Sequence, residues 1–162
     1  MLTNTKDIEQ VMKVVGTSPV RPDGVPKVTG QAQYGADYSL PGMLWAKVLR
    51  SPHAHARILS VDTSKAAALP GVKGIILGSD FPDHPFDYVG PERVAQNYWH
   101  MTRNIMAREK ALFEGHAIAA VAATTSAIAA EAVSLIEVKY EVLQHCIDVE
   151  DAMKPDAPLL FE

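Results

Sequence analysis

Apolar and polar positions divide the chain into short segments, most of them of strand length. Residues 43–50, Met43-Leu44-Trp45-Ala46-Lys47-Val48-Leu49-Arg50, are mostly apolar and lie between Pro41-Gly42 and Ser51-Pro52, which predicts a strand. A second strand is expected at 57–61. Asp62 and Thr63 then offer caps for a short helix at 64–69 that Pro70-Gly71 stops, and a third strand follows at 72–77. Residues 117–123 form a continuous apolar run, the pattern of a strand covered on both faces. Thr124, Thr125 and Ser126 can cap a helix through Leu135, in which Ile128, Ala132 and Leu135 share one face. After it Ile136, Val138, Tyr140 and Val142 alternate with Glu137, Lys139 and Glu141, the period of a half-exposed strand. Asp148 caps a last short helix at 149–153.

The rest is less regular. Residues 1–26 read as a leader: a helix pattern at 8–14 gives way to Pro19, Pro22 and Pro26 among glycines and serines. From Val28 to Ala36 small residues suggest an extended run bent near Gly30 or Gly35. Residues 78–107 show no clear periodicity, and a loop of that length is functional or covered by a partner in most compact domains. A strand–helix–strand unit occurs twice without a fixed repeat. The expected class is α+β: a mixed β-sheet with a few short helices in a single domain.

Composition adds limits. The 162 residues are 48% hydrophobic and 21% charged, which suits a folded domain. With 15 basic against 19 acidic residues the net charge is −4, so no electrostatic case exists for nucleic acid or an anionic membrane. Cys146 is the one cysteine, which excludes an internal disulfide and suits a reducing compartment. The uncharged stretch at 115–130 is shorter than the roughly 20 apolar residues of a membrane span, and a cytoplasmic chain is expected.

Candidate chemistry is sparse. Gly30-Gln31-Ala32-Gln33-Tyr34-Gly35 has phosphate-loop spacing, but Ala36-Asp37 replaces the cation such a loop needs. His53-Ala54-His55 could supply half of a metal site, although its place between two strands favours hydrogen-bonding or solvent-facing loop histidines. Asp80, Asp83, His84 and Asp87 could meet a hard cation, yet Pro82 and Pro85 interrupt them and a solvated loop is expected. His145 and Cys146 are sequence neighbours and point apart on an extended chain, so Cys146 is read as a buried structural thiol. Glu114-Gly115-His116 reads as a turn with a satisfied histidine. No nucleophile, base and oxyanion donor come together, so no catalytic, cofactor-binding or metal residue is assigned.

Several of these runs together resemble a known family. Val15-Gly16-Thr17-Ser18, Arg21-Pro22-Asp23 and Lys27-Val28-Thr29-Gly30-Gln31-Ala32-Gln33-Tyr34-Gly35-Ala36-Asp37 begin the series. Leu40-Pro41-Gly42-Met43-Leu44, Arg50-Ser51-Pro52-His53-Ala54-His55-Ala56-Arg57-Ile58 and Asp62-Thr63-Ser64-Lys65-Ala66 with Leu69-Pro70-Gly71-Val72 continue it. Phe113-Glu114-Gly115-His116-Ala117-Ile118-Ala119-Ala120-Val121-Ala122-Ala123 and Val138-Lys139-Tyr140-Glu141-Val142-Leu143 complete it. In that order they resemble the α/β hammerhead domain of the molybdenum-binding large subunit of the xanthine dehydrogenase and aldehyde oxidase family.

The resemblance implies a leader at 1–26, a hammerhead domain at 27–155 and a linker at 156–162 toward molybdenum-binding domains absent from this chain. It implies oxidative hydroxylation by the whole enzyme, through a molybdenum–pterin cofactor, iron–sulfur clusters and FAD, none of them held by this chain. The implied partners are the molybdenum-binding domains and the iron–sulfur and flavin subunits. Exposed edges make self-association of the isolated domain an expectation. Gln144 departs from the proline the family commonly has there, and residues 81–106 match no family pattern. The alternative is a small stand-alone metal-binding, hydrolytic or ligand-binding module using His53, His55, Asp83, His84 and the 78–107 loop.

Overall fold

The computed structural model describes residues 14–83, 88–89, 95–96 and 98–161, and the expected helix at 8–14 lies, but for Val14, outside them. The chain divides into two units, Met1–Pro41 and Gly42–Glu162. In the first, helix α1 (Gly24–Val28) forms in the proline- and glycine-rich end of the stretch expected to be irregular, and a 3-10 turn (Gly35–Asp37) closes the expected extended run. The physical reason is capping. Pro26 sits in the first turn of α1, where a missing N–H costs nothing. Gly30 ends it at φ 73°, and the Gln31 N–H donates to the Pro26 carbonyl at 2.9 Å.

The second unit runs β1 (Trp45–Arg50), β2 (Ala56–Asp62), α2 (Ser64–Ala68), β3 (Val72–Leu77), a 3-10 turn (Gly78–Asp80), β4 (Tyr88–Val89) and β5 (Ala95–Gln96). It continues with α3 (Tyr98–Ile105), β6 (Lys110–Ala111), β7 (Ala117–Ala123), α4 (Ser126–Ser134), β8 (Glu137–Val142) and α5 (Val149–Ala152). Among the described residues one sheet has the order β1-β7-β3, a second the order β6-β2-β8, and β4 pairs with β5.

All of these pairings are antiparallel, so the expected mixed sheet resolves into separate antiparallel ones. The cause is visible in the two strand–helix–strand units. β2-α2-β3 carries the chain from the second sheet to the first, and β7-α4-β8 carries it back. Neither unit closes a parallel crossover within one sheet. The α+β class and the few short helices are as the pattern implies.

Helix α4 forms because Thr125 accepts the Ile128 N–H on its hydroxyl at 3.2 Å, satisfying one of the unpaired donors of the first turn. Asp148 caps α5 in the same way, accepting from Glu150 at 2.8 Å. The core is built largely of alanine: Ala66 of α2, Ala119 and Val121 of β7, and Ala132 of α4 meet with Ile136. Small side chains let the helices approach the sheet closely. A second cluster, Ala107, Ala111 and Ile118, packs beneath it, and Leu49, Val61 and Val138 touch both clusters, so the two sheets share one interior. Burying Ile118 alone is worth about 2–3 kcal/mol.

The loop expected at 78–107 is a correction in part. It contains a 3-10 turn, a short two-strand ladder and the helix α3, whose first turn carries Tyr98, Trp99 and His100. His84 and Asp87 lie outside the described residues.

Candidate functional site

Arg103, from the stretch of sequence without a visible period, organises a polar corner of the second unit. Only 7% of it is exposed, and its guanidinium carbon lies 3.9 Å from the centre of the Trp99 ring. Nη1 donates to Asp83 at 3.0 Å and Nη2 to Glu109 at 3.3 Å. A buried cation needs such partners, because its desolvation would otherwise cost several kcal/mol. The i,i+4 spacing of Trp99 and Arg103 brings ring and cation together on one helix face, the signal by which the sequence could have revealed this pair.

Beside it Arg108 donates to the carbonyls of Phe81 and Pro82, tying the end of the 3-10 turn to the segment before β6. Gly78 is needed there, because a Cβ would come within 2.3 Å of the Ala107 carbonyl oxygen. Phe161 packs edge-on against Trp99 and His100, with ring centres 5.4 and 4.5 Å apart. A cleft of about 300 Å³ opens between these groups. Trp99, Leu112 and Phe161 form its apolar wall, and Arg57 and Lys110 stand at its rim. Arg57 is paired with Glu141 at 3.0 Å. The arginines of this cleft are therefore engaged in holding the fold.

His53 and His55 serve the fold as well. His53 meets Tyr140 edge-on at 5.0 Å, and burial pushes the Tyr140 phenol upward, opposed by the Ser51 hydroxyl. His55 is buried, with Nδ1 2.8 Å from the Gln144 carbonyl, so Nδ1 carries the proton. Among the described residues no three His, Cys, Asp or Glu side chains gather in a way that could hold a metal ion. Asp80 accepts the Leu77 N–H at 2.7 Å as a turn cap, and Asp83 is the partner of Arg103.

His116 is fully buried beneath the turn that Gly115 makes at φ 83°. Its Nδ1 accepts the Leu112 N–H at 3.1 Å and its ring stacks on Phe113 at 4.3 Å. Nε2 lies near the backbone of Arg103 and Asn104 without the geometry of a hydrogen bond. Burial holds this imidazole below its ordinary value, only partly offset by that backbone. The turn is clamped from β1: Arg50 donates to the Gly115 carbonyl at 2.7 Å and the Ser51 N–H to that of His116 at 2.8 Å. Cys146 is a correction. It is half-exposed on the loop after β8, its thiol donating to the Asp148 carbonyl at 3.2 Å, because residues 143–147 form no strand that would bury it.

The glycines at 30 and 35 form no phosphate cradle: Gly30 ends a five-residue helix and Gly35 begins a 3-10 turn.

Comparison with known proteins places this architecture. The chain matches the family model described as aldehyde oxidase and xanthine dehydrogenase, α/β hammerhead domain, over residues 29–144. It is 40% identical over 148 residues to the carbon monoxide dehydrogenase large chain of Afipia carboxidovorans, covering 91% of this chain and 18% of that one. It is 41% identical over 146 residues to a probable xanthine dehydrogenase component of Bacillus subtilis, covering 90% of this chain and again 18% of the relative. A solved Cu,Mo-CO dehydrogenase superposes with a TM-score of 0.71 at 40% identity, over 90% of this chain and 18% of that chain. Quinoline 2-oxidoreductase from Pseudomonas putida 86 superposes with a TM-score of 0.70 at 36% identity, over 88% of this chain and 18% of that chain. The chain spans less than a fifth of the length of these relatives, and it belongs to the aldehyde oxidase and xanthine dehydrogenase α/β hammerhead family.

Proposed function

We propose that this chain is the structural hammerhead module of a molybdenum hydroxylase large subunit and turns over no substrate by itself. The observation that carries this reading is one of coverage: about nine-tenths of the chain aligns with relatives of which it forms 18%. Residues 1–26 serve as a leader, 27–155 as the module and 156–162 as the connection toward the molybdenum-binding domains. Two relatives are named for molybdopterin or molybdenum binding: the nicotinate dehydrogenase large molybdopterin subunit of Eubacterium barkeri and the xanthine dehydrogenase molybdenum-binding subunit of Escherichia coli O157:H7. By extension the assembled enzyme hydroxylates its substrate at a molybdenum–pterin centre and passes electrons through iron–sulfur and flavin subunits in the cytoplasm. Among the described residues no helix is long and apolar enough to cross a membrane.

The test is purification of the chain alone and from its source. The chain alone is expected to contain no molybdenum or pterin and to show no hydroxylase activity. From its source it is expected to co-purify with a molybdenum-containing subunit or domain. Stoichiometric molybdenum on the isolated chain, or no molybdenum protein alongside it at source, would overturn the reading.

A further inference from the structure

The β1-β7-β3 sheet has two unlike faces. Its helix-side face, Leu49, Ala119, Val121, Ile75 and Leu77, lies under α2 and α4. On the opposite face the strand register aligns Val48, Ala120 and Ile76 in one row and Ala46, Ala122 and Gly74 in the next. Val48 is 39% and Ile76 46% exposed, Ala46 and Gly74 are exposed, and Ala120 and Ala122 are half-buried. No side chain in either row can form a hydrogen bond or carry a charge. A sheet face meant for water alternates toward polar residues, as β8 does with Glu137, Lys139 and Glu141. The alanine-rich β7 instead has the composition of a strand covered on both sides.

We propose that this bare face is the docking surface for the molybdenum-binding remainder of the large subunit. The inference rests on the function proposed above and names the surface that function uses. Patch size argues for this occupant over a second copy of the chain. Strands about 4.8 Å apart with rows about 7 Å apart give the patch an area of roughly 200 Å². A stable dimer needs about 800 Å² per partner. A surface this small holds when its neighbour belongs to the same polypeptide, where the effective concentration is high. Its flat alanine and glycine rows admit the close approach of another backbone. The relatives, of which this chain covers 18%, supply the mass to cover it.

Thiol footprinting decides the point. In a Cys146→Ser background, Val48→Cys and Ile76→Cys are introduced singly, with Glu131→Cys on the exposed side of α4 as the control. Each variant is labelled with a maleimide in the isolated chain and in the assembled large subunit from its source, and the site is read by peptide mass. Labelling at 48 and 76 is expected to slow by about tenfold or more on assembly, while 131 labels equally in both. A Val48→Asp variant is expected to leave the isolated chain folded by circular dichroism and, in the assembled subunit, to speed labelling at Ile76→Cys by about tenfold or more. Undiminished labelling at 48 in the assembled subunit overturns the proposal. So does slow labelling in an isolated chain that sediments as a dimer, because the occupant is then a second copy. Failure to find any molybdenum-containing partner overturns the proposed function itself, an outcome recognised before labelling begins.

Discussion

The alanine core under α4 and the corner around Arg103 hold the same unit together by opposite means. In the core Ala66, Ala119, Val121 and Ala132 contribute no side-chain hydrogen bond, and stability comes from close contact and excluded water. At the corner a single cation is shared between Asp83, Glu109 and the Trp99 ring, and nearby Arg108 ties down the carbonyls of Phe81 and Pro82. The first solution tolerates no polar atom, and the second works only if the buried cation finds its partners. The difference teaches where this fold is brittle: a charge in the core has nowhere to go, whereas the corner's carboxylates can turn to water, being about 60% exposed.

Val121→Asp would therefore be the most damaging change. An unpaired buried carboxylate costs about 3–5 kcal/mol, comparable to the total stability of a small domain, and loss of the cooperative thermal transition by circular dichroism is expected. A normal transition in that variant would break the contrast. Arg103→Ala should cost about 1–3 kcal/mol in denaturant unfolding, with Arg103→Lys recovering only part, because an ammonium cannot fork between two carboxylates while stacking on Trp99. Thr125→Ala removes the α4 cap at the edge of the core and should cost about 1 kcal/mol. Lys65→Ala and Arg57→Ala break exposed pairs with Glu137 and Glu141 and should each leave the denaturant midpoint nearly unchanged. A larger loss from either would mean that surface charge matters here as much as the buried cation.

The mildest perturbation is a change of pH. With His116 held neutral in the fold, the unfolded chain binds its proton more readily. Stability is then constant above the ordinary imidazole value of 6.5 and declines as pH falls from there toward the lower value of the folded state. His116→Gln, whose amide oxygen can accept the same Leu112 N–H, should flatten that decline in chemical unfolding measured between the two limits.

These two regions also separate what is legible in advance from what is not. Wherever side chains repeat at a fixed period the elements can be read directly: the run at β7, the alternation at β8 and the threonine cap of α4 stand within a residue or two of expectation. The resemblance to the hammerhead family rests on those same stretches and on the turns between them. Helix α3 escapes a pattern reading because it is only eight residues long and its buried residue is an arginine, whose carboxylate partners Asp83 and Glu109 come from elsewhere in the chain. Helix α1 escapes it because proline and glycine, ordinarily breakers, act here as its start and its stop. For the histidine pair, local sequence points to loop residues, of which His55 is hydrogen-bonded through its ring and His53 packs edge-on against Tyr140. That Gln144 receives His55 depends on a contact 89 residues distant.

The strand order carries one more consequence, for synthesis. β7 is the centre of its sheet, yet β1 and β3, which flank it, precede it in the chain and do not pair with each other. As the chain leaves the ribosome, both flanking strands emerge without a template, and neither can be seated until residues 117–123 are clear of the exit tunnel. The same holds for β2, which waits for β8 at 137–142. Folding of these sheets is thereby deferred until residues 117–142 have been made, governed by distant pairings that close slowly. Until then the unpaired strands are what a nascent-chain chaperone would meet.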